Sequence, residues 1–112
     1  MPETEITGSM FMFTSTAPAA RKVSPTEAIV GRVADGDPGA FEEFYEMYAP
    51  MVHAIMLGRV RRDEVDDLVQ DVFIAAYRGI GGLRDRAAAG AWLASIARNR
   101  AAEFYRSDRP TE

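Results

Sequence analysis

The polar residues best placed to do chemistry fall in one stretch, Asp66-Asp67-Leu68-Val69-Gln70-Asp71-Val72-Phe73-Ile74-Ala75-Ala76-Tyr77-Arg78. Asp67, Gln70 and Asp71 follow an i, i+3, i+4 spacing, so a helix presents two carboxylates and an amide as one outward patch, separate from its apolar stripe. Such a patch suits a basic partner, and it is equally the pattern of a solvated helix face. The rest of the charge is unevenly spread. Residues 1–73 carry thirteen acidic side chains against six basic ones, whereas residues 74–107 carry Arg78, Arg84, Arg86, Arg98, Arg100 and Arg106 against only Asp85 and Glu103. Two electrostatically different ends are consistent with two different partners.

Other chemistries find little support. The one histidine, His53, falls beside an apolar helical stripe rather than near a serine, a carboxylate pair or a glycine-rich elbow, so no catalytic arrangement is expected. Asp63, Glu64, Asp66, Asp67 and Asp71 lack the glycine-turn spacing of a calcium loop, and carboxylates at a helix N-terminus are commonplace. With no cysteine in the chain, thiolate zinc sites and disulfides are excluded together. Neither metal nor cofactor is expected.

Four helices must position these residues. Ser24-Pro25-Thr26-Glu27 combines an N-cap serine, a proline at the first helical position and a glutamate at the third, which starts a helix that Gly36 should stop. Asp37-Pro38 repeats the start signal, and Phe41, Phe44, Tyr45, Tyr48, Val52, Ile55 and Met56 form the stripe of a second helix ending near Gly58. Pro50 lies inside that stripe and is expected to kink or restart the helix. A third helix from about Asp63 to Arg78 buries Val65, Leu68, Val69, Val72, Phe73 and Ala76, with acidic residues crowding its positive end. Gly79, Gly81 and Gly82 break it. Asp85 is then expected to cap a fourth helix, about Arg86 to Arg106, whose inward stripe is Trp92, Leu93, Ile96, Ala97 and Phe104. Trp92 reads as core, while Tyr77 and Tyr105 are open to either packing or stacking.

Nothing alternates with period two over a useful length, so the fold class is all-α, a compact bundle of about four helices. The 112 residues, 47% of them apolar, suffice for one modest core. Residues 1–23 mix Thr, Ser, Pro, Ala and Gly without a period and read as a flexible tail, with Met10-Phe11-Met12-Phe13 as an apolar spot. The helical domain is expected over 24–107, and 108–112 as a disordered end or the start of a linker. No apolar run approaches the roughly 20 residues that span a bilayer, so a cytoplasmic protein without membrane contact is expected. The net charge of −4 argues against a general nucleic-acid binder.

The stretch from Asp66 resembles the signature "DLVQEVFLRAW" of region 2 in bacterial sigma factors of the extracytoplasmic-function (ECF) group. Ala40-Phe41-Glu42-Glu43-Phe44-Tyr45-Glu46-Met47-Tyr48-Ala49-Pro50 is similar to that family's "AFEELYRRYAP", and Ala91-Trp92-Leu93-Ala94-Ser95-Ile96-Ala97-Arg98-Asn99-Arg100 to its "AWLYRIARNLA". Three ordered blocks cover about residues 27 to 106. The resemblance implies a non-enzymatic domain that binds the RNA polymerase core through the coiled-coil clamp helices of its β′ subunit, using Asp67, Leu68, Gln70, Asp71 and Phe73. It also implies recognition and melting of the minus-ten promoter element by capture of its non-template strand. There Arg84, Arg86, Arg98 and Arg100 would neutralise phosphates, and Asn99 would hydrogen-bond a base edge.

The departures from the family carry expectations of their own. Asp71 stands where glutamate is usual, one methylene shorter. The fourth helix ends Ala102-Glu103-Phe104-Tyr105-Arg106-Ser107-Asp108 rather than in a strongly basic tail, so non-specific DNA affinity should be weak and salt-sensitive. The helix-turn-helix domain with which the family reads the minus-thirty-five element is not among these residues, so the chain alone is not expected to be a complete initiation factor. The competing reading is a helical interaction module without DNA contact, for example the target of an anti-sigma factor.

Overall fold

The computed structural model describes residues 23–108. The segment 1–22, with its apolar spot at 10–13, and residues 109–112 lie outside the described residues. The architecture is all-α: helices α1 (Pro25–Ala34), α2 (Ala40–Leu57), α3 (Val65–Gly79) and α4 (Ala89–Asp108), with short 3-10 turns at Arg62–Glu64, Ile80–Gly82 and Arg86–Ala88. Helices α2, α3 and α4 pack pairwise, and α1 lies across α2 and the turns that precede α4.

The first helix forms as its sequence dictates. Glu27 N–H donates to Ser24 Oγ at 3.1 Å while Ser24 N–H donates to Glu27 Oε1 at 3.1 Å, a reciprocal capping box with Pro25 at the first turn. Gly36 ends it at φ +86°. Its N–H donates to Val33 O and the Asp37 N–H to Arg32 O, both at 3.0 Å, which closes a Schellman motif. A Cβ at Gly36 would meet no neighbour, so only the left-handed backbone penalises a side chain there. Gly36→Ala is therefore expected to lower the unfolding free energy by about 1 kcal/mol. An unchanged urea midpoint would show that this turn is not held as described.

Helix α2 begins at Ala40, two residues beyond Pro38, because Asp37 first folds the chain back: its Oδ1 accepts the Gly39 N–H and its carbonyl the Ala40 N–H, both at 3.1 Å. The helix continues through Pro50 as a single element from Ala40 to Leu57, so it does not restart there. The reason is tertiary. Phe44 before the proline and Val52 and Met56 after it are fully buried, while Pro50 faces solvent. Burying those three side chains outweighs the roughly 3 kcal/mol that an interior proline costs.

The core gathers Ile29 and Val30 from α1, Phe44, Val52 and Met56 from α2, six residues of α3 from Val65 to Ala76, and Leu93 and Ala97 from α4. On α4 the fully packed row is Ala89, Leu93, Ala97 and Ala101, whereas Trp92, Ile96 and Phe104 are only partly buried. Alanine at three of these four positions lets three helices approach α4 closely. The same need appears at Gly90, where a Cβ would sit 3.0 Å from the Tyr48 ring. The Tyr48 hydroxyl in turn shares a 2.6 Å hydrogen bond with Thr26 Oγ1, so α1, α2 and α4 meet at this one side chain. Asp85 does not cap α4. It precedes the Arg86–Ala88 turn with no side-chain capping bond, and the helix proper starts at Ala89.

An arginine clamp ties α1 to α2. Arg32 donates from Nη1 and Nη2 to the two Glu43 oxygens at 3.0 and 2.7 Å, and from Nε to Asp37 Oδ2 at 3.0 Å. The Arg32 hydrogen bonds hold the Glu43 carboxyl below the usual carboxylate range, and Asp37 likewise, where the Gly39 N–H adds to the effect. A carboxylate with a lowered folded pKa adds stability above its unfolded pKa and loses it as pH falls through the folded value. The melting temperature is thus expected to hold from neutrality to about pH 5 and then fall, ordinary carboxylates titrating near 4. Arg32→Gln should melt lower at pH 7 with a shallower acid fall. Parallel melting curves for the two proteins would show that the clamp contributes nothing.

Candidate functional site

The acidic–amide face of α3 is present, but its members have different surroundings. Asp67 and Gln70 are exposed, Asp71 is partly covered, and Leu68 and Phe73 are buried beneath them. Phe73 is part of an edge-on aromatic cluster: its ring centroid lies 4.7 Å from Tyr45, 6.2 Å from Phe44 and 6.3 Å from Phe41. Its contribution to a surface is therefore to support what lies above it.

Beside this face, α2 and α3 leave a groove of about 1100 Å³ lined by Tyr45, Pro50 and His53 from α2 and by Gln70, Ile74 and Tyr77 from α3, among others. Tyr77 is 62% exposed, Ile74 46% and Tyr45 42%. The Tyr77 ring packs edge-on against Phe41 at 5.0 Å, which fixes it as a groove wall. His53 Nε2 lies 3.8 Å from Asp66 Oδ1 across the groove. His53 thus sits at a surface rather than in the core. Reading the sequence missed the α2 side of this surface because Tyr45 fits the helix's apolar stripe. The available signal was Ile74, an apolar side chain between Gln70 and Tyr77 on the otherwise polar side of α3.

The five residues expected on the nucleic-acid side do not share one face. Arg98 and Asn99 are exposed on the outward side of α4, Arg98 Nη2 donating to Ser95 Oγ at 3.4 Å. Arg100 points the other way, because residues two apart on a helix lie about 200° apart. Its Nη1 is 3.5 Å from Asp71 Oδ2 and 3.9 Å from Glu103 Oε1. The fold therefore joins a residue of the acidic face to one of the basic set. Arg84 is exposed on the loop between the two 3-10 turns, and Arg86 lies over α1, its Nη1 3.4 Å from where a Cβ of Gly31 would stand. Trp92 packs on the C-terminal turn of α3, its ring 3.3 Å from a Cβ placed at Gly79. A base platform at Trp92 would have to use whatever ring surface this contact leaves.

Among the described residues no group of His, Asp and Glu side chains could hold a metal ion, and no helix is long and apolar enough to cross a membrane. What the arrangement presents is two surfaces of different chemistry, one acidic and aromatic on α2–α3, one arginine-bearing on the loop and the outward side of α4.

Residues 44–111 match the family described as Sigma-70 region 2. Over 78 residues, the chain is 37% identical to the ECF RNA polymerase sigma-E factor of Haemophilus influenzae, a stretch that is 70% of this chain and 41% of that protein. It is 35% identical to the sigma-E factor of Escherichia coli K12 with the same shares, and 35% identical over 86 residues to the ECF sigma factor BldN of Streptomyces coelicolor. The chain thus spans less than half the length of these curated relatives. Among solved structures, it resembles an engineered region 2 of sigmaE with a TM-score of 0.70 and 30% identity, over 75% of this chain and 88% of that one. That protein's structure was determined by NMR in complex with GTAAAA.

Proposed function

Because the chain belongs to the sigma-70 region 2 family, in its ECF group, we propose that it docks on the polymerase core and helps to recognise and open the minus-ten element. The work is assigned to residues 24–107. The observation that carries this reading is the separation of the two surfaces on one bundle. Asp67 and Gln70 project from α3, Arg98 and Asn99 from the outer side of α4, and a continuous core between them keeps both helices in place.

On the docking side, Asp67, Gln70 and Asp71 would bind basic residues of the β′ clamp helices, while Leu68 and Phe73 hold α3 in position from below. The aromatic groove extends this surface, since Tyr45 and Tyr77 offer amphipathic area of the kind that anchors protein interfaces. On the nucleic-acid side, Arg84 and Arg98 would neutralise phosphates and Asn99 would read a base edge. Arg100 has a lesser part, because Asp71 and Glu103 already share its charge, and Arg86 acts from its place over α1. The sigmaE region 2 in complex with GTAAAA supports a short strand as the ligand, which this reading places on the arginine-bearing side.

The test uses polymerase core, the full chain and a labelled single-stranded GTAAAA oligonucleotide. Binding should require both proteins or be strengthened by the core. An Arg98→Ala, Asn99→Ala variant should weaken it about tenfold and flatten its salt dependence by about 0.7 in log–log slope, because one phosphate is no longer neutralised. If the strand is never held even with polymerase present, the domain acts instead as a protein-interaction module, such as an anti-sigma factor target. The exposed Tyr45–Ile74–Tyr77 groove would serve a protein partner under either reading, so the strand-binding result decides between them.

A further inference from the structure

The turn joining α2 to α3 meets the last turns of α4 at a pocket of about 340 Å³, whose walls include Leu57, Arg59, Val60, Arg61, Phe104 and Tyr105. The function proposed above does not use it. Phe104 leans against the core, whereas Tyr105 is 61% exposed and Leu57 45%. The rim is cationic. Arg61 is engaged with Asp63 and Glu64 at 3.1 and 3.8 Å, but Arg59 Nη1 donates to the chain's own Ile55 carbonyl at 3.4 Å and has no acidic partner among the described residues. Arg62, next to Arg61 in sequence, is exposed to solvent.

An exposed aromatic face beside a guanidinium is the combination that takes a stacked base together with its phosphate. A duplex phosphate alone would make no use of the exposed Tyr105 ring. The position also connects this pocket to the arginine face. Tyr105 follows Arg98 by seven residues, two turns and about 10 Å along the same side of α4.

Resting on the reading that α4 faces the promoter strand, we propose that this pocket is a second nucleic-acid subsite. One unpaired base stacks on Tyr105, its phosphate pairs with Arg59, and the strand runs from Arg98 along α4 to the α2–α3 turn. The subsite would extend contact beyond the bases held near Arg98 and Asn99.

The experiment compares single-stranded GTAAAA with the same strand extended at one end or the other, either by a short thymidine run or by abasic residues, on the full chain with polymerase core. A thymidine extension at the correct end should improve affinity about tenfold over the abasic one, the size of one base–aromatic stack. Tyr105→Phe should keep that gain and Tyr105→Ala should abolish it, with affinity for GTAAAA itself unchanged in both. Arg59→Ala should reduce the salt slope for the extended strands by about 0.7 and leave that for GTAAAA alone. If GTAAAA binds but extension brings no gain, or the gain survives Tyr105→Ala, the subsite is wrong while the minus-ten reading stands. If neither GTAAAA nor the extended strands bind, both fall.

Discussion

A Gln70→Ala, Asp71→Lys variant is expected to bind a fragment carrying the β′ clamp helices about a hundredfold more weakly than the native chain. The native amide and carboxylate each offer hydrogen bonds to a basic helical partner, and a charge-assisted bond contributes about 1.5–3 kcal/mol. The variant removes both and places a like charge at the contact, so a loss near 2.7 kcal/mol, or a factor of a hundred, is a moderate expectation. The fold should survive. Gln70 is exposed, and the Asp71–Arg100 pair at 3.5 Å is partly solvated, so losing it costs about 0–1 kcal/mol. Circular dichroism should therefore show unchanged helicity. Native affinity in this variant would remove the docking surface from α3. Asp67→Lys is the sharper single change, since Arg100 already offsets part of the Asp71 charge while Asp67 stands exposed.

Phe44→Ala should be the most damaging single substitution to the fold. Phe44 has no solvent exposure, and its ring lies 5.6 Å from Phe41, 5.1 Å from Tyr48 and 6.2 Å from Phe73. Truncating a buried phenylalanine removes its transfer free energy and leaves a cavity, together about 3–5 kcal/mol. A domain of this size has about 5–15 kcal/mol in all, so the loss is a large fraction of it. The melting temperature should fall by roughly 12–40 °C, at about 4–8 °C per kcal/mol. Phe44→Leu should recover most of the difference by refilling the space. A loss below about 1 kcal/mol in the alanine variant would mean that the helices do not converge on this residue. Because Phe73 is a neighbour, the same change should loosen the support under the α3 surface and weaken docking at temperatures where the domain is still folded.

Much of this molecule is legible from neighbouring residues. Ser24 and Glu27 announce their reciprocal cap, Gly36 its turn, and Val65 to Ala76 the buried side of α3, because each depends on residues three or four apart in one helix. The exceptions lie where a distant residue decides. Pro50 reads as a break by its position, yet Phe44, Val52 and Met56 anchor the helix on both sides of it. Trp92 belongs to an apolar stripe by periodicity, yet alanines at 89, 97 and 101 take the closest packing, because α4 must admit three neighbours at once.

For the surfaces, helical periodicity is enough to say which side chains α3 turns outward, since Asp67 and Gln70 follow from it and both are exposed. The gathering of arginines after residue 77 is likewise read directly from the sequence. What these groups meet depends on how the helices pack. Helical periodicity already turns Arg98 and Arg100 to different sides of α4, but it is the crossing of α3 and α4 that brings Asp71, 29 positions away, to Arg100. The packing of α2 on α3 makes Tyr45 and Tyr77 walls of one groove, and the end of α4 against the α2–α3 turn makes Tyr105 a neighbour of Arg59. The physical reason is range. Backbone hydrogen bonding and side-chain periodicity act within a turn or two of helix, whereas a site assembled between helices depends on which apolar faces pack together and at what angle.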